Sequence, residues 1–156
     1  MTFRPLLRAA LTLAFALTLL ISIPAAAQES GPWRASSSNA RAITGDVAFS
    51  PTKITIDFTM YTIAQIRSLE KQEAVALFNP DNPTGAGNIF RVAIPSEKRF
   101  LHKNTLCGSD DTEWIVTYAD GRTLQVAFFS GATPPVLTFD ALNNASNLCG
   151  VFSYIR

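Results

Sequence analysis

Residues 1 to 27 constrain the rest of this chain more than any other stretch. Arg4 and Arg8 lead an apolar run from Leu11 to Ile23, and the run ends in Ala25-Ala26-Ala27. A basic start, an apolar centre and small residues at the end are the marks of a secretory signal peptide, with cleavage after Ala27. A retained membrane helix is the competing reading, because a span needs about 20 apolar residues and Leu6 to Ala27 nearly supplies them. Pro24 and the alanine run favour cleavage, which leaves no permanent membrane span after processing. No cysteine stands at the end of the apolar run, so a bacterial lipoprotein anchor has nothing to attach to.

Export sets the redox compartment, periplasmic or secreted, and there a pair of cysteines forms a lasting disulfide. Cys107 and Cys149 sit in matching Leu-Cys-Gly contexts. The sequence predicts a bond between them rather than a nucleophilic Cys107 with His102 as its base. Removing 27 of 156 residues leaves 129, enough for one exported β-rich domain over 28–156. Of the 13 Lys and Arg, two leave with the leader, so 11 basic residues face 12 acidic ones. Such a balance gives no long-range field for holding nucleic acid.

Alternation carries the secondary structure. In GDVAFS-PT-KITIDF, Pro51 presets a tight turn, and pairing Ser50 with Lys53 sets Phe49 against Ile54, Val47 against Ile56 and Ala48 against Thr55. That register also brings Asp46 opposite Asp57, for which a Ca²⁺ site is one reading and two solvated carboxylates the simpler one. A second hairpin spans Glu113 to Phe129. Its pattern predicts a three-residue loop with Gly121 in the left-handed region, pairing Trp114 with Val126 and Val116 with Leu124. Further strands are expected near Tyr61 to Ile66, over Asn88 to Ile94 and over Val151 to Arg156. Ser68 to Phe78 reads as the one short helix, capped by Ser68 and stopped at Asn79-Pro80, with Asn79 to Gly87 as a long mobile loop. The resulting fold class is mainly β, a small antiparallel barrel or sandwich of about eight strands.

Catalytic signatures are thin. His102 is the single histidine, and the zinc, CxxC and Gly-x-Ser-x-Gly motifs are absent. No catalytic residue, metal or cofactor is therefore assigned. Gly85-Ala86-Gly87 lacks the third glycine of a nucleotide fingerprint, and Ser109 to Glu113 lacks the spacing of a calcium loop. Trp114, Tyr118, Phe128, Phe152 and Tyr154 are the candidates to line a ligand cavity, with core packing as the alternative. Lys98, Arg99, His102 and Lys103 surround Phe100 and form a candidate loop for an anionic partner, such as a lipid headgroup, an envelope glycan or an acidic protein.

Trp33, Ile43-Thr44-Gly45-Asp46, Ile54-Thr55-Ile56, Asn104 to Gly108, Trp114-Ile115-Val116 and Leu148 to Tyr154 follow in a characteristic order. In this the chain resembles small exported bacterial proteins with two Leu-Cys-Gly motifs, of the lipocalin-like or META-like barrel type. The resemblance implies a periplasmic or secreted barrel and brings no active site with it; Ser68 to Gly87 looks like an insertion. The expected function is a non-enzymatic, envelope-associated binding domain for a small apolar ligand or an envelope component. A protein inhibitor of a lysozyme or protease, using a loop such as Asn79 to Asn88, and an envelope-polymer hydrolase are the alternatives.

Overall fold

The computed structural model describes residues 28–81 and 83–156, so the expected signal peptide lies outside the described residues. Nine antiparallel strands form one sheet in the order β4-β3-β2-β1-β9-β8-β7-β6-β5. The two strands at its edges, β4 (Thr59–Thr62) and β5 (Ala64–Ser68), are separated by Ile63 alone. The sheet therefore rolls until its edges meet in one extended segment, whose first half pairs with β3 (Lys53–Ile56) and second half with β6 (Asn88–Ile94). At the seam, the Ile63 N–H bonds to the Thr52 carbonyl at 2.9 Å. With that segment counted once, eight staves run up and down in chain order, and β1 (Gly31–Ala35) meets β9 (Leu148–Ile155) through Arg34–Ile155 and Ala35–Tyr154.

Alternation decides what enters the barrel. Val47 and Phe49 of β2 (Val47–Ser50), Ile54 and Ile56 of β3, and Phe90, Val92 and Ile94 of β6 point inward. Ile115 of β7 (Thr112–Asp120), Val126 and Phe128 of β8 (Thr123–Ser130), and Phe152 and Tyr154 of β9 join them. Each such side chain contributes about 1.5–3 kcal/mol on burial. The β2–β3 hairpin has the expected register, from Ser50–Lys53 to Val47–Ile56. Its second strand ends sooner than expected, because Asp57 and Phe58 turn the chain on left-handed backbone at φ 46° and 59°.

The β7–β8 hairpin corrects the expected register. Asp120 pairs with Thr123, Val116 with Ala127 and Trp114 with Phe129, around a two-residue turn of Gly121 and Arg122. Gly121 does take a positive φ, 57°. The expected register sought one apolar and one polar face. Both faces of β7 are in fact covered, since α2 (Lys71–Phe78) and α3 (Phe139–Asn143) lie outside it, and such strands do not alternate.

The helix begins at Lys71 rather than after Ser68, because Ser68 still pairs with Asn88 and the Leu69 N–H bonds to the Gly87 carbonyl. Glu70 is the N-cap instead, in a capping box with Glu73, whose carboxylate accepts from the Glu70 N–H at 2.9 Å and holds both terminal Arg67 guanidinium nitrogens at 2.6 and 2.7 Å. Two further short helices, α1 (Ser38–Ala42) and α3, escaped the periodicity. Nor is the end of the Asn79–Gly87 segment a free loop: Ala86 bridges to Ala119 through two backbone hydrogen bonds. A Cβ on Gly87 would fall 1.8 Å from the Thr117 carbonyl oxygen, and one on Gly85 2.2 Å from that of Ala119.

Cys107 and Cys149 are bonded, with Cα atoms 4.8 Å apart. The bond fastens the loop between β6 and β7 to the start of β9. Among the described residues, no helix is long and apolar enough to cross a membrane.

Two outcomes test this architecture. Gly87→Ala should lower stability by about 2 kcal/mol or more in urea unfolding, since the clash is with backbone. Unreduced protein should show no reactive thiol, and the Cys107→Ala/Cys149→Ala variant should lose about 4 kcal/mol, the chain-entropy value for a 42-residue separation.

Candidate functional site

The five aromatic candidates do not converge. Phe128, Phe152 and Tyr154 belong to the barrel interior, whereas Trp114 and Tyr118 lie on its outer wall with Phe78, Phe129 and Leu137. Phe128 and Phe152 pack edge to face at 5.2 Å. The Tyr154 hydroxyl lies 2.7 Å from Thr44 Oγ1, and burial pushes its pKa above the ordinary value. Trp114 donates its indole N–H to the Gly131 carbonyl at 2.8 Å, holding the segment that leads to α3.

Both ends of the barrel are plugged. At the end bearing α1, Ala40, Phe100 and Leu106 join the interior cluster. At the other end Glu29, 2% exposed, turns its carboxylate inward. Its Oε1 accepts from Asn88 Nδ2 at 2.5 Å and lies 3.5 Å from Thr117 Oγ1, while Gln65 donates to Asn88 Oδ1 at 2.7 Å. Glu29 also offers its carbonyl to the Trp33 indole at 2.7 Å. Arg156 secures this segment from outside, reaching the Ser30 and Gln28 carbonyls and stacking 4.2 Å from the Trp33 ring centroid.

Open space lies on the outer wall. A groove of about 450 Å³ runs between the end of α2 and strands β7 to β9. Its floor is a polar row in register, Tyr118 opposite Gln125 and Gln125 opposite Ser153, with Ser36 beside them. Asn79, on left-handed backbone at the end of α2, and Asp81 form one wall; Asp120 and Thr123 lie near the β7–β8 turn. The Tyr118 hydroxyl accepts the Gly85 N–H at 3.0 Å and keeps its own proton to donate. Asp120 accepts from Thr84. The Gln125, Ser153 and Ser36 side chains make no hydrogen bond to the described residues, and no cation among the described residues lines the groove.

The basic loop lies at the far end of the barrel. Lys98 Nζ donates to Thr59 Oγ1 at 3.0 Å, and Arg99 folds back onto the Ser96 carbonyl. His102 and Lys103 are exposed on left-handed backbone at φ 54° and 62°. Asp46 and Asp57 lie beside this end, where Asp46 is engaged by the Ala35 N–H at 2.9 Å. Among the described residues no group of three His, Cys, Asp or Glu is placed to hold a metal ion. In the acidic hollow around Ser109 to Glu113, Asp111 accepts the Ser96 N–H and Glu113 is paired with Arg91 at 2.6 Å.

Sequence reading named Tyr118 of the groove floor but missed Gln125, Ser153, Glu29 and Phe58. For Phe58 a signal was present: the inward alternation of Ile54 and Ile56 resumes only at Tyr61 and Ile63, which marks a turn between. Gln125 and Ser153 were readable as outward positions only after the β7–β8 register had been fixed.

Glu29→Gln should keep nearly full stability because an acceptor remains for Asn88, whereas Glu29→Ala should cost about 1–3 kcal/mol in chemical unfolding. No family model, curated protein sequence or solved structure matches this chain.

Proposed function

We propose that the protein is an exported, non-enzymatic binding domain of the cell envelope, and that its ligand lies in the groove between α2 and β7–β9. The observation that carries this reading is the in-register row Tyr118-Gln125-Ser153, polar side chains with unused hydrogen-bonding capacity on the floor of an open groove. The barrel interior is filled with large side chains, so a small apolar ligand inside it is the weaker form of the reading. Neutral donors and acceptors, two carboxylates and no cation suit a ligand rich in hydroxyl and amide groups rather than an anion. A saccharide strand of the envelope has that chemistry.

Asp81 and Asp120 line the same groove, and this supports the second reading, hydrolysis of an envelope polymer. The inhibitor reading relied on the Asn79 to Asn88 segment, but the Ala86–Ala119 bridge lays part of it against the barrel.

Titration calorimetry with N-acetylglucosamine oligosaccharides tests the assignment. Binding should weaken about tenfold or more when Gln125 and Ser153 are both replaced by Ala, because two hydrogen-bonding partners are lost. Unchanged binding by that variant, or none by the native protein, would remove the groove reading. Shortened oligosaccharides after incubation would install the hydrolase in its place.

A further inference from the structure

At the end of the barrel away from the groove's Asp120 wall, one residue stands apart. The β3–β4 turn consists of Asp57 and Phe58, both at positive φ. Two-residue hairpin turns of this kind take Asn or Asp first and Gly second. Asp57 conforms. Phe58 does not, since a side chain on left-handed backbone is strained, and its ring recovers nothing by packing because the residue is 99% exposed.

The wall behind Phe58 is bare. Pro32, Ala48, Thr55 and Met60 form one outward row in register across β1 to β4, and Met60 is 65% exposed. On β6 to β9 the corresponding wall is covered by α2 and α3 apart from the groove. Leu101 and Phe58 border the same hollow of about 390 Å³ on this wall. The basic loop adjoins it through the Lys98–Thr59 hydrogen bond, with Arg99 and Lys103 exposed. Asp46 and Asp57 line that hollow, Glu97 precedes Lys98, and Asp110 and Asp111 follow in the same β6–β7 loop, so the attraction for anions is confined to Lys98, Arg99 and Lys103.

We propose that this end docks on an anionic phospholipid bilayer, with Phe58 entering the boundary between headgroups and acyl chains and Lys98, Arg99 and Lys103 against lipid phosphates. A single ring on a two-residue tip needs no preformed pocket to enter fluid acyl chains, whereas a protein partner must supply one. Basic side chains beside an apolar tip complement the phosphate layer above those chains. One ring and three cations give weak, reversible, salt-sensitive attachment, with the groove's floor left outside the contact.

Co-sedimentation of the exported protein with phosphatidylethanolamine/phosphatidylglycerol vesicles tests this, with phosphatidylcholine vesicles as the uncharged comparison. The native protein should pellet with the anionic vesicles and be released by high salt. Phe58→Gly should weaken association about tenfold and at the same time raise the melting temperature, because glycine relieves the turn. The Lys98→Gln/Arg99→Gln/Lys103→Gln variant should weaken association with anionic vesicles by about a hundredfold. Failure of the native protein to pellet, native-like pelleting of Phe58→Gly, or a lowered melting temperature for that variant would each overturn the proposal. So would Phe58-dependent retention on delipidated envelope without vesicle binding, which would assign the tip to a macromolecular partner. Oligosaccharide titration of Phe58→Gly reads the groove separately, so either reading can fail alone.

Discussion

Closure of the sheet through Ile63 is the constraint on which the rest of the structure depends. A single segment, Thr59 to Ser68, serves two neighbours in turn, and the change of partner occurs where Ile63 reaches the Thr52 carbonyl. Because the edges meet there, the inward side chains of every stave face a common centre. A closed sheet also has few unpaired backbone groups on display, and the exposed segment β5 carries an irregular register between Gln65 and Arg67. Bulges and charged side chains of this kind discourage pairing with foreign strands.

Closure explains where a ligand can lie. Eight staves enclose a space that side chains just fill, and Trp33, Phe128, Phe152, Tyr154 and the surrounding isoleucines fill it here. Binding chemistry is displaced to the outer wall, which is divided unevenly. The helices lie over part of it and leave a polar groove along their margin, while the wall of β1 to β4 carries the uncovered row Pro32-Ala48-Thr55-Met60 and an exposed aromatic tip.

Much of this was legible in the amino-acid order. The β2–β3 register followed from alternation around Ser50-Pro51-Thr52-Lys53, and the disulfide from two cysteines in matching Leu-Cys-Gly contexts. The β7–β8 register was not, because strands buried on both faces lose the alternation that fixes pairing. Gly85 and Gly87 read as loop residues when their service is close approach to β7, a distance no local pattern records. For the candidate site the order showed the basic loop and the aromatics. It did not show that Trp114 and Tyr118 part company from Phe128, Phe152 and Tyr154, since that depends on which wall each side chain faces.

The order of the staves has a bearing on how such a chain reaches its native state. Every neighbouring pair except β1 and β9 is consecutive along the chain, so hairpins can close in sequence as residues become available. The final pairing spans Arg34 to Ile155 and must wait for the C-terminal strand. Until it forms, β1 and β9 present open edges, and another molecule's ninth strand fits against β1 as well as its own. Intramolecular capture depends on β9 already being held close, and the cystine to the β6–β7 loop does that from one end while Arg156, stacked on Trp33, latches the other. The same two fastenings therefore favour pairing within one chain over strand exchange between copies.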